Sequence, residues 1–283
     1  MISQIASALP GDARWCRTYA DGVRGPTWYS QGEPHLPLGL TWLSPAERAH
    51  HDRMRYSKRR VEFLVARWTA KQAVVLAQGR PPDEVPWETV EIGHAPDGAP
   101  IPHIDGQPWD RRLSMTDRAG WAVTVVSPDR TEVGCDLELV EPRTPAFVAD
   151  WFTPTEQQYV AAAHEDDERS LRANLVWSAK ESALKVLRTG LRRDTRSVEV
   201  WCAEQRREDD DGRATWSPLT VTAVEGRTFP GWWCRFGDFI LTFAAADAMP
   251  APVAQVDPPA LASARPIHSW LDAPLAPGSG CES

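Results

Sequence analysis

The chain has 283 residues, 42% of them hydrophobic, and its 31 basic and 39 acidic residues give a formal net charge of -8. It is long enough to bury the core of one large domain or two small ones, and its acidic balance argues against broad electrostatic binding to nucleic acid or anionic lipid. Five cysteines without a CxxC pair argue against a disulfide framework and a structural zinc site.

The first residues of the chain lack the charged and apolar segments of a signal peptide. No run of the chain approaches the ~20 apolar residues of a membrane span. We therefore expect a cytoplasmic protein with free thiols, and we interpret residues 1–34 as an N-terminal extension.

After this extension the chain repeats itself with a constant offset of 109 residues. Residues 42–48 read WLSPAER, and residues 151–157 read WFTPTEQ. Further along, WTAKQA at 68–73 matches WSAKES at 177–182. Two matched segments at one offset indicate an internal duplication.

Each copy predicts a short helix, a long helix and then strands. Ser44 and Thr153 are the N-caps of the short helices, because each is followed by proline and, three residues after the cap, by glutamate. The long helices are predicted at 58–78 and 168–188, each ended by a glycine. The β-type runs are, in chain order, VEIGH, GWAVTVVS, VGCDLELV, SVEVWC, LTVTAV and DFILTFAAA.

These elements predict an α+β fold, a pseudo-dimer of two similar α+β lobes at roughly residues 35–130 and 131–248. The groove between two such lobes is the natural place for a ligand. Residues 249–283 are rich in proline and alanine and have no periodicity, so we expect a mostly disordered tail.

Charged residues interrupt the second long helix on the side opposite its apolar face. Glu181 points away from the apolar face, and Trp177 and Lys185 flank it one turn away on either side. By itself this pattern is also typical of an exposed Glu–Lys pair of small energetic value.

Two acids on a strand change the balance between these interpretations. Asp136 and Glu138, at positions i and i+2, project from the same face of the strand VGCDLELV, roughly 7 Å apart. Like charges in this arrangement call for a cation, and hard oxygen ligands suit Mg²⁺. A solvated edge strand with acidic residues would show the same DxE pattern.

The two motifs together resemble a known family. VGCDLE followed by WSAKESALK, with Asp136 and Glu181 separated by 45 positions, resembles the signature of the Sfp-type 4′-phosphopantetheinyl transferases, (V/I)GxDxE and (F/W)(S/T)xKE(A/S)xxK. The resemblance extends over roughly residues 40–247, because those enzymes are pseudo-dimers of two α+β halves.

The resemblance implies a reaction and roles for individual residues. Such enzymes transfer the 4′-phosphopantetheine arm of coenzyme A to a serine of an acyl or peptidyl carrier protein, release adenosine 3′,5′-bisphosphate, and serve pathways such as polyketide and nonribosomal peptide biosynthesis. The Mg²⁺ ligands would be Asp136, Glu138 and Glu181. Glu181 would also be the general base, and Lys180 and Lys185 would neutralise phosphate charge, with Lys185 nearest the departing group.

The sequence also departs from the family pattern. Ala99 stands where family members often carry the lysine of Gly-Lys-Pro, and LSMTDRAGW places Thr116 and Asp117 where they often carry Ser-His-Ser. We therefore expect Thr116 and Arg118 among the coenzyme A contacts, with Arg118 or the metal ion compensating the charge of Asp117. The first long helix offers further basic residues as possible contacts to coenzyme A, namely Arg59, Arg60, Arg67 and Lys71. Of these, Arg60 is predicted to bind coenzyme A.

Three functions remain open at this point. The first is the transferase, acting as a monomer on coenzyme A and an apo carrier protein, for which Arg188, Arg192 and Arg193 would form a docking patch. The second is a catalytically impaired relative that binds the carrier protein or coenzyme A without turnover. The third, a metal-dependent nuclease, fits poorly with the net charge and with the lack of a basic stripe.

Overall fold

The computed structural model describes residues 25–205 and 215–267, together with the backbone of 14–15. In this part of the chain five α-helices accompany fourteen strands, which confirms the predicted α+β class. The helices are α1 (Pro45–Arg53), α2 (Ser57–Ala77), α3 (Pro145–Trp151), α4 (Pro154–Ala161) and α5 (Asp166–Val186). No helix in the described ranges is long and apolar enough to cross a membrane.

The strands form four separate sheets. In chain order they are β1 (Arg14–Trp15), β2 (Thr27–Gly32), β3 (Val90–His94), β4 (Pro100–Ile104), β5 (Gln107–Pro108), β6 (Leu113–Arg118), β7 (Trp121–Val126), β8 (Val133–Leu139), β9 (Val198–Cys202), β10 (Ser217–Ala223), β11 (Thr228–Phe236), β12 (Phe239–Ala245), β13 (Val253–Ala254) and β14 (Val256–Asp257). Their orders are β8-β12-β11-β10-β9, β13-β2-β7-β6, β3-β4-β5 and β1-β14.

The second half of the chain, residues 132–246, forms the five-stranded sheet with α5 packed against it. All of its strand pairs are antiparallel, and Asp136 and Glu138 of β8 face Thr242 and Ile240 of β12. Apolar side chains of α5 and of the sheet form one buried cluster. Every residue of β8 is buried, so the strand is covered on both faces rather than solvated on one.

The first half, residues 25–131, packs α2 against the sheet that contains β2, β7 and β6. Strand β6 lies at the boundary with the second half. There Ser114 Oγ accepts a hydrogen bond from the backbone N–H of Cys135 at 3.0 Å. Thr116 Oγ1 likewise accepts from the N–H of Leu137 at 3.1 Å. Side chains of β6 therefore hold β8 beside the first half.

The short helices begin as their sequence predicts. Ser44 and Thr153 are N-caps, and both complete a capping box with the glutamate three residues later, Glu47 and Glu156. In each case the glutamate reaches further, since it also accepts a hydrogen bond from a strand N–H. The same local pattern therefore starts both helices and anchors both to a strand.

Two predicted boundaries are wrong. Residues 27–32 were assigned to an extension but form β2, which pairs with β7 inside the first-half sheet. The segment 249–267 was assigned to a disordered tail but folds back: β13 pairs in parallel with β2, and Trp121 Nε1 donates to the carbonyl of Arg265 at 2.7 Å. Composition alone predicted disorder, whereas backbone pairing with the edge of β2 provides the missing order. The predictions for 1–13, 16–24 and 268–283 lie outside the described residues.

Candidate active site

Strand β8 and helix α5 approach each other unusually closely at Gly134. A Cβ atom at this position would lie 1.9 Å from the carbonyl oxygen of Ser182 and 3.1 Å from Cβ of Lys185. Only glycine therefore permits this approach. The contact brings the acids of β8 next to the polar side of α5, which carries Trp177, Glu181 and Lys185.

Asp136 is almost fully buried and is satisfied on one oxygen only. Its Oδ1 accepts hydrogen bonds from Lys185 Nζ at 2.9 Å and from Thr116 Oγ1 at 3.2 Å. Lys185 Nζ also donates to the carbonyl of Cys135 at 2.8 Å. The other carboxylate oxygen, Oδ2, is buried without a hydrogen-bond partner, and a buried acceptor in that state has a place for a ligand.

Glu138 is held from three directions. Its Oε1 accepts from Trp177 Nε1 at 3.0 Å, and its Oε2 accepts from Arg143 Nη2 at 3.0 Å. Arg118 Nε lies 3.3 Å from the same Oε2, and the other end of this guanidinium contacts Glu141. Two arginines and a tryptophan therefore fix the orientation of this carboxylate.

Burial and neighbouring charge disfavour the ionised forms of Glu138 and Glu181. Burial and the neighbouring charge of Asp136 raise the pKa of Glu138 to about 7 and that of Glu181 to about 7. Burial acts to lower the pKa of Lys185, but the carboxylate of Asp136 outweighs it and raises that pKa above its ordinary value. A further cation beside Glu138 and Glu181 would therefore stabilise their charged forms.

The donor set fits a magnesium ion that is completed by a ligand. Within residues 25–205 and 215–267, no group of three or more His, Cys, Asp or Glu side chains is arranged to enclose a metal ion by itself. Mg²⁺, however, is usually held by one or two carboxylates plus substrate phosphates and water. The open Oδ2 of Asp136 and the raised pKa of Glu181 are the observations that support such a site.

A cavity of about 350 Å³ lies against this cluster, between the two halves. Lys185 and Asp117 line it at the cluster end, and helix α2 and the turn between β3 and β4 line it elsewhere. Arg188 closes one side, because its Nε lies 2.9 Å from Asp97 Oδ2 on that turn. The complete lining is Ala66, Arg67, His94, Asp97, Gly98, Ala99, Pro100, Leu113, Ser114, Met115, Asp117, Glu132, Val133, Lys185, Arg188 and Gly190.

The structure brings some of the predicted site residues together. Asp136, Glu138, Glu181 and Lys185 form the cluster described above, and Thr116 and Arg118 contact its acids. The spacing of i and i+2 on the strand and of i and i+4 on the helix predicted which side chains share a face. The resemblance to the family predicted that these two faces meet.

Two predicted site residues do not lie with the others. Lys180 is completely buried and bonds to Glu156 at 2.8 Å and to the carbonyls of Thr195 and Val198, so it cannot contact a phosphate. Arg60 is exposed, donates to the carbonyl of Met54 at 2.9 Å and does not line the cavity. Both predictions are corrected: Lys180 belongs to the core, and Arg60 to the surface.

The three arginines of the predicted docking patch all contact other groups of the protein. Arg188 pairs with Asp97, and Arg193 binds Glu225 through two hydrogen bonds at 2.6 and 3.0 Å. Arg192 Nη2 donates to the carbonyls of Asp97 and Arg188. The carrier-docking role of these arginines stays a prediction.

The sequence patterns did not predict that Arg143 and His94 lie at the site. They also did not distinguish Arg67 from the three other basic candidates of α2. Arg143 lies five positions after Glu138, too far along an irregular segment for strand periodicity to predict a contact. His94 is the last residue of β3, and no pattern in the sequence indicates that this end of the strand contacts α2.

Comparisons with known proteins agree with the cluster. Residues 132–230 match the model of the 4′-phosphopantetheinyl transferase superfamily. The chain is 28% identical, over 128 residues, to a 4′-phosphopantetheinyl transferase of Bacillus subtilis; the match covers 45% of this chain and about half, 52%, of the length of that relative. The resemblance found in the sequence is thereby confirmed, and the superfamily match falls on residues 132–230, which contain the acid cluster.

Proposed function

We propose that the protein transfers the 4′-phosphopantetheine arm of coenzyme A to a serine of an acyl or peptidyl carrier protein. The observation that carries the proposal is the cluster of Asp136, Glu138, Glu181 and Lys185, whose lysine lines a cavity between the halves. A cavity of this size is in the range of small-molecule sites, and the match of residues 132–230 to the superfamily model supports the same reaction class.

The reaction needs charge stabilisation more than covalent chemistry from the protein. The serine Oγ of the carrier attacks the phosphorus that bears the pantetheine arm, forming a new P–O bond. The bond from this phosphorus to the oxygen of the 5′-phosphate breaks, and adenosine 3′,5′-bisphosphate leaves with the electron pair. The serine proton passes to the carboxylate of Glu181, which acts as the general base.

The other residues of the cluster bind and orient. Lys185 is held by Asp136 and by the carbonyl of Cys135, so its ammonium group is fixed where negative charge accumulates on the departing phosphate. Arg118, Arg143 and Trp177 hold Glu138 in one orientation. Asp136, Glu138 and Glu181 are the residues that would hold Mg²⁺, which when bound neutralises the pyrophosphate.

Transfer to a panel of apo carrier proteins is the direct test. Incubation with coenzyme A and Mg²⁺ should raise the mass of a carrier by about 340 Da, the mass of the added arm. The same carrier with its acceptor serine changed to alanine is the control and should keep its mass. The proposal fails if no carrier from fatty-acid, polyketide or nonribosomal-peptide systems gains mass.

A binding protein without turnover is the second candidate. It is favoured by Ala99 and Asp117, which line the cavity where other family members often carry a lysine and a histidine. Calorimetry that detects tight binding of a carrier protein, combined with no mass shift on that same carrier, would support this function over the transferase.

A further inference from the structure

Residues 260–267, which we call the C-terminal clamp, pack into the core after the chain has left the second half. Leu261 and Ala264 are buried in an apolar cluster that includes side chains of β2, β7, β8 and β12. The N–H of Leu261 also donates to Ser30 Oγ of β2 at 3.1 Å. The clamp is therefore anchored to β2, a strand of the sheet that also contains β6 and β7.

The turn between β6 and β7 is held by two segments from outside the hairpin. Ala119 and Gly120 form this turn, with φ angles of 51° and 82°. The φ angle of Ala119 is unfavourable for a residue with a Cβ atom, so the turn needs support from its surroundings. The carbonyl of Ala119 accepts a hydrogen bond from the N–H of Ile267 at 2.9 Å, and the carbonyl of Gly120 accepts one from the N–H of Glu33 at 2.9 Å.

Two further contacts join the C-terminal clamp to the same turn. Trp121, the first residue of β7, donates from Nε1 to the carbonyl of Arg265 at 2.7 Å. The side chain of Ile267 packs against the turn, since a Cβ atom on Gly120 would lie 2.8 Å from Cβ of Ile267. The clamp therefore contacts three consecutive positions, 119–121.

Arg118 immediately precedes this turn and pairs with Trp121 across the hairpin. Its Nε is buried and lies 3.3 Å from Oε2 of Glu138, and its Nη2 contacts Glu141. Acids of β8 and of the segment after it thus hold both ends of the guanidinium group. Because the hairpin is paired up to Arg118, the position of the turn decides where the backbone of this residue lies.

We propose that the C-terminal clamp is a positioning element of the active site, which holds Arg118 against Glu138 by fixing the turn that follows Arg118. This inference rests on the proposed function, in which Glu138 is a metal ligand. Groups that orient a metal ligand affect metal binding and activity. Arg143 Nη2 donates to the same oxygen of Glu138 at 3.0 Å, so release of Arg118 should loosen this carboxylate without freeing it.

Solvent exchange of the Arg118 Nε–H tests the contact without requiring turnover. Nuclear magnetic resonance on the full chain measures this exchange, and the resonance is assigned by its disappearance in Arg118→Lys. Ile267→Pro removes the N–H that binds the carbonyl of Ala119. It should accelerate the exchange about 2- to 10-fold, the change in population expected from one lost hydrogen bond. Trp121→Phe, which keeps a ring but loses the bond to Arg265, should act in the same direction.

An internal reference separates positioning from general loosening of the fold. Arg143 Nε donates to Asn174 Oδ1 of α5 at 2.6 Å, so the C-terminal clamp does not hold this group. Its exchange rate should stay unchanged in Ile267→Pro, in the same spectrum that shows faster exchange at Arg118. Ser263→Ala, which changes an exposed side chain of the clamp, is the control variant and should alter neither rate.

Transfer rates connect this contact to the reaction. In the wild-type background, Ile267→Pro should lower kcat about 2- to 10-fold while KM for coenzyme A stays within about twofold, because the clamp acts on Glu138 and not on the nucleotide. In an Arg118→Met background the same substitution should cause no further loss, since the contact is already absent. Arg118→Lys should retain part of the rate.

Each result decides the inference. Unchanged exchange at Arg118 in Ile267→Pro overturns it, and so does equal acceleration at Arg118 and Arg143. A full, additive loss of rate when Ile267→Pro is combined with Arg118→Met also overturns it. The two proposals fail separately: a wild-type protein that modifies no carrier refutes the proposed function, whereas the exchange measurement still decides whether the C-terminal clamp holds Arg118.

Discussion

In both halves of the chain a lysine of the long helix is completely buried against the glutamate that caps the short helix. Lys71 binds Glu47 at 2.7 Å, and Lys180 binds Glu156 at 2.8 Å. Each lysine also donates to two backbone carbonyls. The equivalent residues are 109 positions apart, so the duplicated sequence has kept the same buried polar contact twice.

The halves differ where the acid cluster lies. The same offset places Thr27, Tyr29 and Gln72 of the first half opposite Asp136, Glu138 and Glu181 of the second. In the first half Tyr29 donates to Gln72 Oε1 at 3.1 Å, and Gln72 Nε2 donates to Gln31 Oε1 at 2.6 Å. A neutral hydrogen-bonded network replaces three carboxylates.

This difference distinguishes the framework, meaning residues that maintain the fold, from the residues that form the candidate active site. The neutral network links its own side chains by hydrogen bonds. In the second half, burial and the charge of Asp136 raise the pKa of Glu138 and of Glu181, so a cation would stabilise their charged forms. A residue found in both halves therefore belongs to the framework, and a residue found in one half belongs to the site. The wrong prediction for Lys180 follows from ignoring this rule, because Lys71 repeats the same buried contact in the half that lacks the acid cluster.

The largest effect is expected from breaking the shared framework. Lys180→Met and Lys71→Met should each lower the free energy of unfolding by about 3 to 5 kcal/mol, because a buried glutamate loses its partner. Burial lowers the pKa of Lys180 and raises that of Glu156, so each depends on the other for its charge. Urea denaturation measures the loss, with the exposed Lys58→Met as control.

The two lysine variants also test the corrected role of Lys180. A stable Lys180→Met protein with a raised KM for coenzyme A would restore the phosphate-binding role that the sequence suggested. Similar destabilisation in both halves would confirm the shared framework.

The second prediction removes an acid that only one half has. Glu181→Gln copies Gln72 of the first half and should lower transfer at least about 100-fold, because a metal ligand and the proposed base are lost together. The melting temperature should stay equal or rise, since burial and Asp136 disfavour the charge of Glu181. The carrier mass-shift rate measures the loss.

A control for this prediction lies on the same helix. Glu168→Gln changes a half-buried glutamate near the start of α5 and should leave the rate within about twofold, since its contacts with Arg172 and with the N–H of His164 do not involve the acid cluster. Retained transfer in Glu181→Gln would contradict its place in the cluster.

The elements that were predictable from sequence depend on local rules. The long helices were placed at 58–78 and 168–188 and are found at Ser57–Ala77 and Asp166–Val186. Capping and apolar periodicity depend on residues that are only a few positions apart, so both patterns can be read from the sequence. Strand and helix spacing likewise predicted that Asp136 and Glu138 share one face and that Glu181 and Lys185 share another, whereas the family resemblance predicted that the two faces meet.

What was not predictable depends on contacts between distant segments. His94 reaches Arg67 only because β3 and α2, which are separate elements, pack together. Arg143 reaches Glu138 through the irregular segment after β8, for which strand periodicity predicts no contact. The segment 249–267 is similar, since its proline-rich composition predicts disorder and only the exposed edge of β2 gives it a partner. The predicted pseudo-two-fold relation of the lobes stays a prediction.

The third prediction adds an acid to the first half at the position equivalent to Glu181. Gln72→Glu should destabilise the protein by about 1 to 3 kcal/mol at pH 8, because one oxygen of the new carboxylate would face the acceptor Gln31 Oε1. Burial should raise the folded-state pKa of this group. Its neutral form is then favoured below the ordinary pKa of about 4.3, and the loss of stability grows as the pH rises through the folded-state value.

Denaturation at pH 5 and pH 8 measures this effect, with the exposed Gln158→Glu as control. An equal loss at both pH values would show that the new group is not desolvated, and that the first half tolerates charge at the position equivalent to Glu181.

The smallest effect compares the two equivalent tryptophans. Trp177 Nε1 donates to Glu138 at 3.0 Å, whereas Trp68 Nε1 is buried without a partner. Both rings pack against aromatic neighbours, so phenylalanine removes similar apolar area in each half. Trp177→Phe should therefore cost about 1 to 2 kcal/mol more than Trp68→Phe, because only it breaks a hydrogen bond to a carboxylate.

A double-mutant cycle of Trp177→Phe with Glu138→Gln isolates that bond from the ring packing. The coupling energy should be present in the second half and should vanish when Trp68→Phe replaces Trp177→Phe in the cycle. Equal costs for both tryptophans and no coupling would mean that the two rings only fill space. Arg118 and Arg143 alone would then hold Glu138, and the contrast between the halves would begin at the acids rather than at the tryptophans behind them.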